Sequence, residues 1–90
     1  MKAFVKDPQA RIDYTFDWGP WLRTDTITAS SWVAESPLTV AIGSETYTDT
    51  TTTLYLTGGD EGGDYMVTNH IVTAGGRIDE RSMQIKVRQR

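Results

Sequence analysis

The chain contains no cysteine. That excludes a disulfide framework, a thiol nucleophile and a thiolate zinc site. A small cysteine-free chain also fits the reducing cytosol, or assembly inside a cell, better than secretion. No run approaches the roughly 20 apolar residues that a membrane helix needs. Met1–Val5 carries one lysine and breaks at Asp7–Pro8, so no secretory leader is expected and the chain reads as soluble. There is no basic excess either. Lys and Arg number 9 against 12 Asp and Glu, giving a net charge of −3. Phosphate-binding surfaces usually run the other way, so nucleic acid is not an expected partner. Only Lys86, Arg88 and Arg90 are locally basic. Helical spacing of apolar residues is absent, and at 90 residues the chain is sized for one domain, 1–90, with a thin core.

What is present is a period of two. Threonine is the commonest residue, and with Val, Ile and Tyr it favours strands, because branched and aromatic side chains fit a pleated surface. In Ile12–Trp18, the residues Ile12, Tyr14, Phe16 and Trp18 alternate with Asp13, Thr15 and Asp17. One face is apolar and the other acidic. Gly19–Pro20 breaks that strand, with Trp21 and Leu22 tucked under as a plug. Thr26–Ser30 resumes strand character with Ile27 and Ala29 on one face. Trp32 is out of phase with them, which predicts a bulge or tight turn near Ser30–Ser31. After Ser36–Pro37, Leu38–Ile42 places Leu38, Val40 and Ile42 together. Gly43–Ser44 is a turn, and Glu45–Thr50 is an edge strand or a loop. Thr51–Thr57 directs Leu54 and Leu56 inward and Tyr55 outward. Gly58–Gly63 is a glycine-rich turn. Tyr65–Thr73 carries Tyr65, Val67 and Ile71 on one face, Gly75–Gly76 turns the chain, and Ser82–Val87 closes it with Met83, Ile85 and Val87 inward. Met1–Ala10 reads as an arm, with an edge strand through Ala3–Val5.

Six to seven short antiparallel strands at this spacing predict an all-β sandwich or small barrel. The sandwich is favoured by a tyrosine after a glycine-rich corner. In immunoglobulin-like folds such a tyrosine enters the sixth strand two residues before a buried position. Here these would be Tyr65 and Val67, with Trp32 as the core tryptophan.

Groups for catalysis are sparse. His70 alternates with the apolar face of its strand and is expected to be exposed or at an interface; a small hydrolase built on it is the weakest of the functional readings. None of the serines sits in a nucleophile elbow. Asp60, Glu61 and Asp64 share a turn without the spacing of a calcium loop. Asp13 and Asp17 lie roughly 13 Å apart on one strand face, far for a carboxylate pair. Gly75–Gly76–Arg77 lacks the lysine and helix of a phosphate loop. No metal, cofactor or catalytic residue is therefore assigned. The candidates left are contact residues. Trp18 and Trp21 flank the strand break, either as core plug or as exposed anchors. Tyr55 faces outward. Arg77 and Arg81 bracket a charged turn with Asp79 and Glu80, and Lys86 and Arg88 are basic steps on the last strand. Aromatic platforms at Trp18, Trp21 or Tyr55 would also suit a carbohydrate-binding module.

The run Ile12-Asp13-Tyr14-Thr15-Phe16-Asp17-Trp18, then Trp21-Leu22 and Asp25-Thr26-Ile27, resembles a family of small virion proteins of tailed bacteriophages. Gly58-Gly59, Gly63, Tyr65-Met66-Val67-Thr68-Asn69, Gly76-Arg77 and Glu80-Arg81-Ser82 extend the resemblance from about Asp7 to Val87. It implies an immunoglobulin-like fold and a multi-copy, non-enzymatic component of the particle, assembled in the host cytoplasm. Such proteins are similar to adaptors joining tail or neck to tail fibres, and others of this fold decorate capsids. The implied partners are other virion proteins and further copies of the chain. No catalytic residues come with the family.

Overall fold

The computed structural model describes residues 2–41 and 43–89. Eight strands and one short helix follow one another: β1 (Lys2–Lys6), β2 (Ile12–Asp17), α1 (Gly19–Leu22), β3 (Ile27–Ala34), β4 (Leu38–Val40), β5 (Thr46–Tyr47), β6 (Thr51–Gly58), β7 (Asp64–Thr73) and β8 (Ile78–Val87). They form two sheets. The first, here sheet A, has the order β1-β8-β7-β3; the second, sheet B, runs β2-β6-β4, with β5 also paired to β6. The all-β sandwich expected from the period-two pattern is what the chain forms.

The core lies between the sheets. Phe16, Trp18, Leu22, Ile27, Trp32, Leu38, Leu54, Leu56, Val67, Ile71, Met83, Ile85 and Val87 are buried there. The burial of β6, β7 and β8 alternates residue by residue. That follows from strands with one packed and one open face. At roughly 25 cal/mol per Å² of apolar area removed from water, this shared layer is the main stabilising term. The glycine corner behaves as a tyrosine corner. Tyr65 Oη accepts the Asp60 backbone N–H at 3.1 Å, and a Cβ at Gly63 would collide with the Tyr65 ring and hydroxyl. Val67 is fully buried two residues on.

Several boundaries differ from the sequence reading. The strands number eight, because the polar Glu45–Thr50 region contains β5 and the N-terminal arm contains β1. Not every pairing is antiparallel: β1 runs parallel to β8. The third strand extends to Ala34, and its bulge falls earlier than expected, between Ile27 and Ala29. The extra residue, Thr28, inverts the phase. Ile27 is buried, Ala29 is exposed, and Trp32 is carried into the core. The last strand begins at Ile78, four residues before Ser82, because Ile78 pairs with Val72 at the start of a long hairpin. Arg81 and Glu80 are therefore strand residues. Ile42, expected beside Leu38 and Val40, lies outside the described residues, as do Met1 of the arm and Arg90 of the basic end.

One buried cation was not foreseen. Lys6 is fully buried, because it shares with Phe4 the inward phase of β1. Its ammonium donates to the Asp7 carbonyl at 2.9 Å and the Gly58 carbonyl at 2.7 Å. Burial lowers its pKa from the ordinary 10.5, and the nearby Asp7 carboxylate opposes that shift. The bond to Gly58 ties the first strand of sheet A to the end of β6 in sheet B.

Candidate interaction site

Four of the seven candidate contact residues come together at one end of the sandwich. After β2, Gly19–Pro20 starts the single turn of α1, with proline at its first positions where a missing N–H costs nothing. This turn folds Trp18, Trp21 and Leu22 back over the core. Trp18 has no exposed surface, so as a partner contact it is corrected: it is a core residue. Its Nε1 donates to Asn69 Oδ1 at 3.0 Å and to Thr52 Oγ1 at 3.2 Å. Thr52 also donates to Asn69 Oδ1, and Asn69 Nδ2 donates to Ser30 Oγ and the Ser31 carbonyl. Buried polar groups are tolerable only when paired in this way. The network joins β3, β6, β7 and the start of α1, and Asn69 is its hub. By contrast Trp32 Nε1, also buried, has no hydrogen-bond partner among the described residues.

Two arginines cover the tryptophans. The Arg81 guanidinium sits 4.0 Å from the Trp18 ring centre and donates to the Asp17 carbonyl. The Arg77 guanidinium sits 4.1 Å from the Trp21 ring, and Trp21 meets Trp18 edge-on at 5.5 Å. Planar guanidinium groups stack on aromatic faces better than ammonium groups do. Arg77 also donates to Asp25 at 3.1 Å and to the Leu22 carbonyl at 3.0 Å. Asp25 in turn accepts the Gly75 and Thr26 backbone N–H groups. A Cβ at Gly75 would come within 2.9 Å of that carboxylate, so a side chain there would press on the Asp25 contact. The hydroxyl of Thr73 and these N–H donors hold the Asp25 carboxyl down to about 2, against the opposing effect of its partial burial. The cluster is thus a latch between α1 and the β7–β8 turn, with its donors already engaged inside the chain.

The other candidates lie elsewhere. Tyr55 sits on the outer face of sheet B with Arg11 over its ring at 4.3 Å. Arg88 is engaged by Asp64 at 3.0 Å and by the Gly63 carbonyl, which gives the acidic turn an internal partner. Lys86 lies on the outer face of sheet A, opposite Asp64 in the β7–β8 register. His70 lies on the same face, 3.4 Å from Glu80. Among the described residues no three His, Asp or Glu side chains gather as a metal site would require.

The two outer faces differ. On sheet B, Asp13, Thr15 and Asp17 of β2 lie beside Thr51, Thr53, Tyr55 and Thr57 of β6, and Thr15 bonds Thr53 through their hydroxyls at 2.9 Å. On sheet A the outward residues include Val5 of β1, Ala29, Ser31 and Val33 of β3, Asp64, Met66, Thr68, His70 and Val72 of β7, and Ile78, Glu80, Ser82, Gln84 and Lys86 of β8. Val33 is 70% exposed, Ile78 65%, Val5 47% and Met66 42%. Sequence reading passed over these residues because it sought contact sites among aromatics and charges. Their signal was an aliphatic residue on the polar phase of a strand.

The class the fold defines is an all-β sandwich of two sheets. A protein-family model described as Podophage GP4 fiber-tail adaptor protein gp77 matches residues 6–86, and the chain belongs to that family. No curated protein matches it.

Proposed function

We propose that this chain is a non-enzymatic structural subunit of a podophage-type virion that links tail or neck to tail fibres through protein–protein contacts. The observation that carries the reading is the family match over residues 6–86. The fold supports it. Strands β8-β7-β3 in one sheet and β2-β6-β4 in the other correspond to the C–F–G and B–E–D groupings of an immunoglobulin-like sandwich, and the tyrosine corner at Tyr65 agrees. We read the whole chain as one such domain. Its exposed surface is organised as two broad sheet faces and a few edges, which suits a subunit held between neighbours. Tyr55, Lys86 and Arg88 are the polar and aromatic contacts within reach of a partner, Trp21, Arg77 and Arg81 being engaged with one another and with α1, and assembly takes place in the host cytoplasm.

The test is the amount of this chain in purified particles, measured by quantitative mass spectrometry against the major capsid protein, together with the fibre content of particles made without it. About six to a few dozen copies, and loss of fibres from otherwise complete tails, are expected for an adaptor in a closed ring. A copy number near that of the capsid protein would make it a capsid decoration subunit instead. Its absence from particles would overturn the reading.

A further inference from the structure

Among the described residues, four of the five exposed large apolar side chains, Val5, Val33, Met66 and Ile78, lie on the outer face of sheet A. The fifth, Tyr47, is on β5 of the other sheet, where its hydroxyl donates to the Thr28 carbonyl. Single exposed aliphatic residues are ordinary, but a set of them on one flat face marks an interaction surface. The register shows how they are grouped. At one end, Val5 lies beside Lys86, and Met66 lies near Val33, which is opposite Thr68. At the other end, Ile78 is opposite Val72, which is opposite Ala29. Between these ends runs a polar stripe: Ser31 beside His70, His70 beside Glu80, Thr68 bonded to Ser82 at 2.9 Å, and Gln84.

We propose that this face is where two copies of the chain meet, sheet A against sheet A. The layout is its own complement. A two-fold axis lying in the contact plane along the strands keeps each row over the same row of the copy, so that Ile78 lies over Val72, Ser82 over Thr68, Glu80 over His70 and Lys86 over Asp64. Serine and threonine hydroxyls both donate and accept, so two copies of one stripe can satisfy each other. The charges favour a copy over a partner of one sign. Lys86 lies opposite Asp64, and His70 sits 3.4 Å from Glu80, so acid and base are side by side and no strong field of one sign projects from the face. Thr68 and Ser82 at the middle of the face are short, with His70, Glu80 and Gln84 around them, and packed sheets lie about 10 Å apart. Four strands about 4.8 Å apart and up to ten residues long present on the order of 600 Å² in projection. The accessible area of such a pleated face approaches the roughly 800 Å² per partner of a standard interface. The outer face of sheet B lacks this character, with Asp13 and Asp17 on its edge strand and its threonines bonded to one another.

The inference deepens the adaptor reading and rests on it for the setting in the particle, whereas its test reads the purified full chain alone. Sedimentation equilibrium should show a monomer–dimer equilibrium with Kd on the order of 10 µM, as befits a modest interface. Val33→Asp and Ile78→Asp, both on the outer face, should each weaken it about tenfold and together about a hundredfold, since each places a charge in the contact. Their urea midpoints should match that of the unaltered chain. Thr53→Asp, on the outer face of sheet B, should leave association unchanged. A chain that stays monomeric up to about 500 µM would overturn the proposal, as would a dimer indifferent to Val33→Asp and Ile78→Asp. A monomeric chain whose Val33→Asp form no longer enters particles would assign the face to a different virion protein, also against the proposal. A dimer sensitive to these changes, in a chain missing from particles, would uphold it while sinking the adaptor reading.

Discussion

The latch end of the sandwich and the outer face of sheet A invert what their residue types suggest. The latch is rich in tryptophan and arginine, the types that dominate binding hot spots. Yet Trp18 is fully buried, Arg81 covers it, and Arg77 is engaged by Asp25, Trp21 and the Leu22 carbonyl. The outer face of sheet A holds valine, isoleucine, methionine, serine and threonine beside paired charges, and its larger apolar side chains Val5, Val33, Met66 and Ile78 are 42–70% exposed. In a chain of 90 residues the core is thin, and large side chains close its end. On the proposal above, contact with other copies falls to the sheet surface. Residue type alone does not separate the two roles; the accounting of donors, acceptors and cover does.

The sharpest break of that comparison is Trp18→Ala. It removes a buried indole and the donor to Thr52 and Asn69, and should lower stability by about 3–5 kcal/mol, enough to leave much of so small a domain unfolded. Urea unfolding followed by circular dichroism measures it. Asn69→Ala is next, at about 2–3 kcal/mol, because it removes the acceptor shared by the buried Trp18 Nε1 and the Thr52 hydroxyl, leaving that hydroxyl's proton without its partner. Asp25→Asn sharpens the account of the latch through pH. The Asp25 carboxyl has its folded pKa lowered from 3.8 to about 2, so it stabilises the fold above the unfolded value. That contribution is lost as pH falls through the folded one. The native chain should therefore be the more stable of the two at neutral pH, and thermal melts should converge as pH drops from about 4 toward 2. The smallest effect is expected on the other side of the comparison. Val33→Asp should change monomer stability by no more than about 0.5 kcal/mol.

Much of the sandwich was legible from alternation alone. Ile12–Trp18, Leu54–Leu56 and Met83–Val87 each put a row of apolar residues on one phase, and that phase is buried. Tyr65 after its glycine corner was equally readable, since the corner is local. The misreadings share a cause: a single residue that shifts or hides the phase. Thr28 is unremarkable by type, yet as the bulged residue it turned Ala29 outward and Trp32 inward. The charged run Asp79–Arg81 masked the start of β8, because charge suggested a turn where cross-strand pairing to β7 decided otherwise. A helix of one turn shows no periodicity, although its content was readable as a plug. Trp18, Trp21, Arg77 and Arg81 stood out separately as candidates, but that the arginines cover the tryptophans depends on the hairpin lying beside α1. Lys6 and Asn69 were missed as buried groups. Each sits on an apolar phase, and their partners (the Gly58 carbonyl and the Trp18 indole) are far away in sequence.

The central claim is that the chain works through the sheet A face and keeps the latch for itself. Hydroxyl-radical footprinting of the chain in assembled particles, set against the dilute purified chain, tests it most directly. The account predicts that Met66, 42% exposed in the isolated chain, loses most of its reactivity in the particle, while Trp18 stays unreactive in both and Trp21 changes little. Undiminished oxidation of Met66 in particles, with new protection of Trp21, would contradict it and return the working surface to the tryptophan–arginine end.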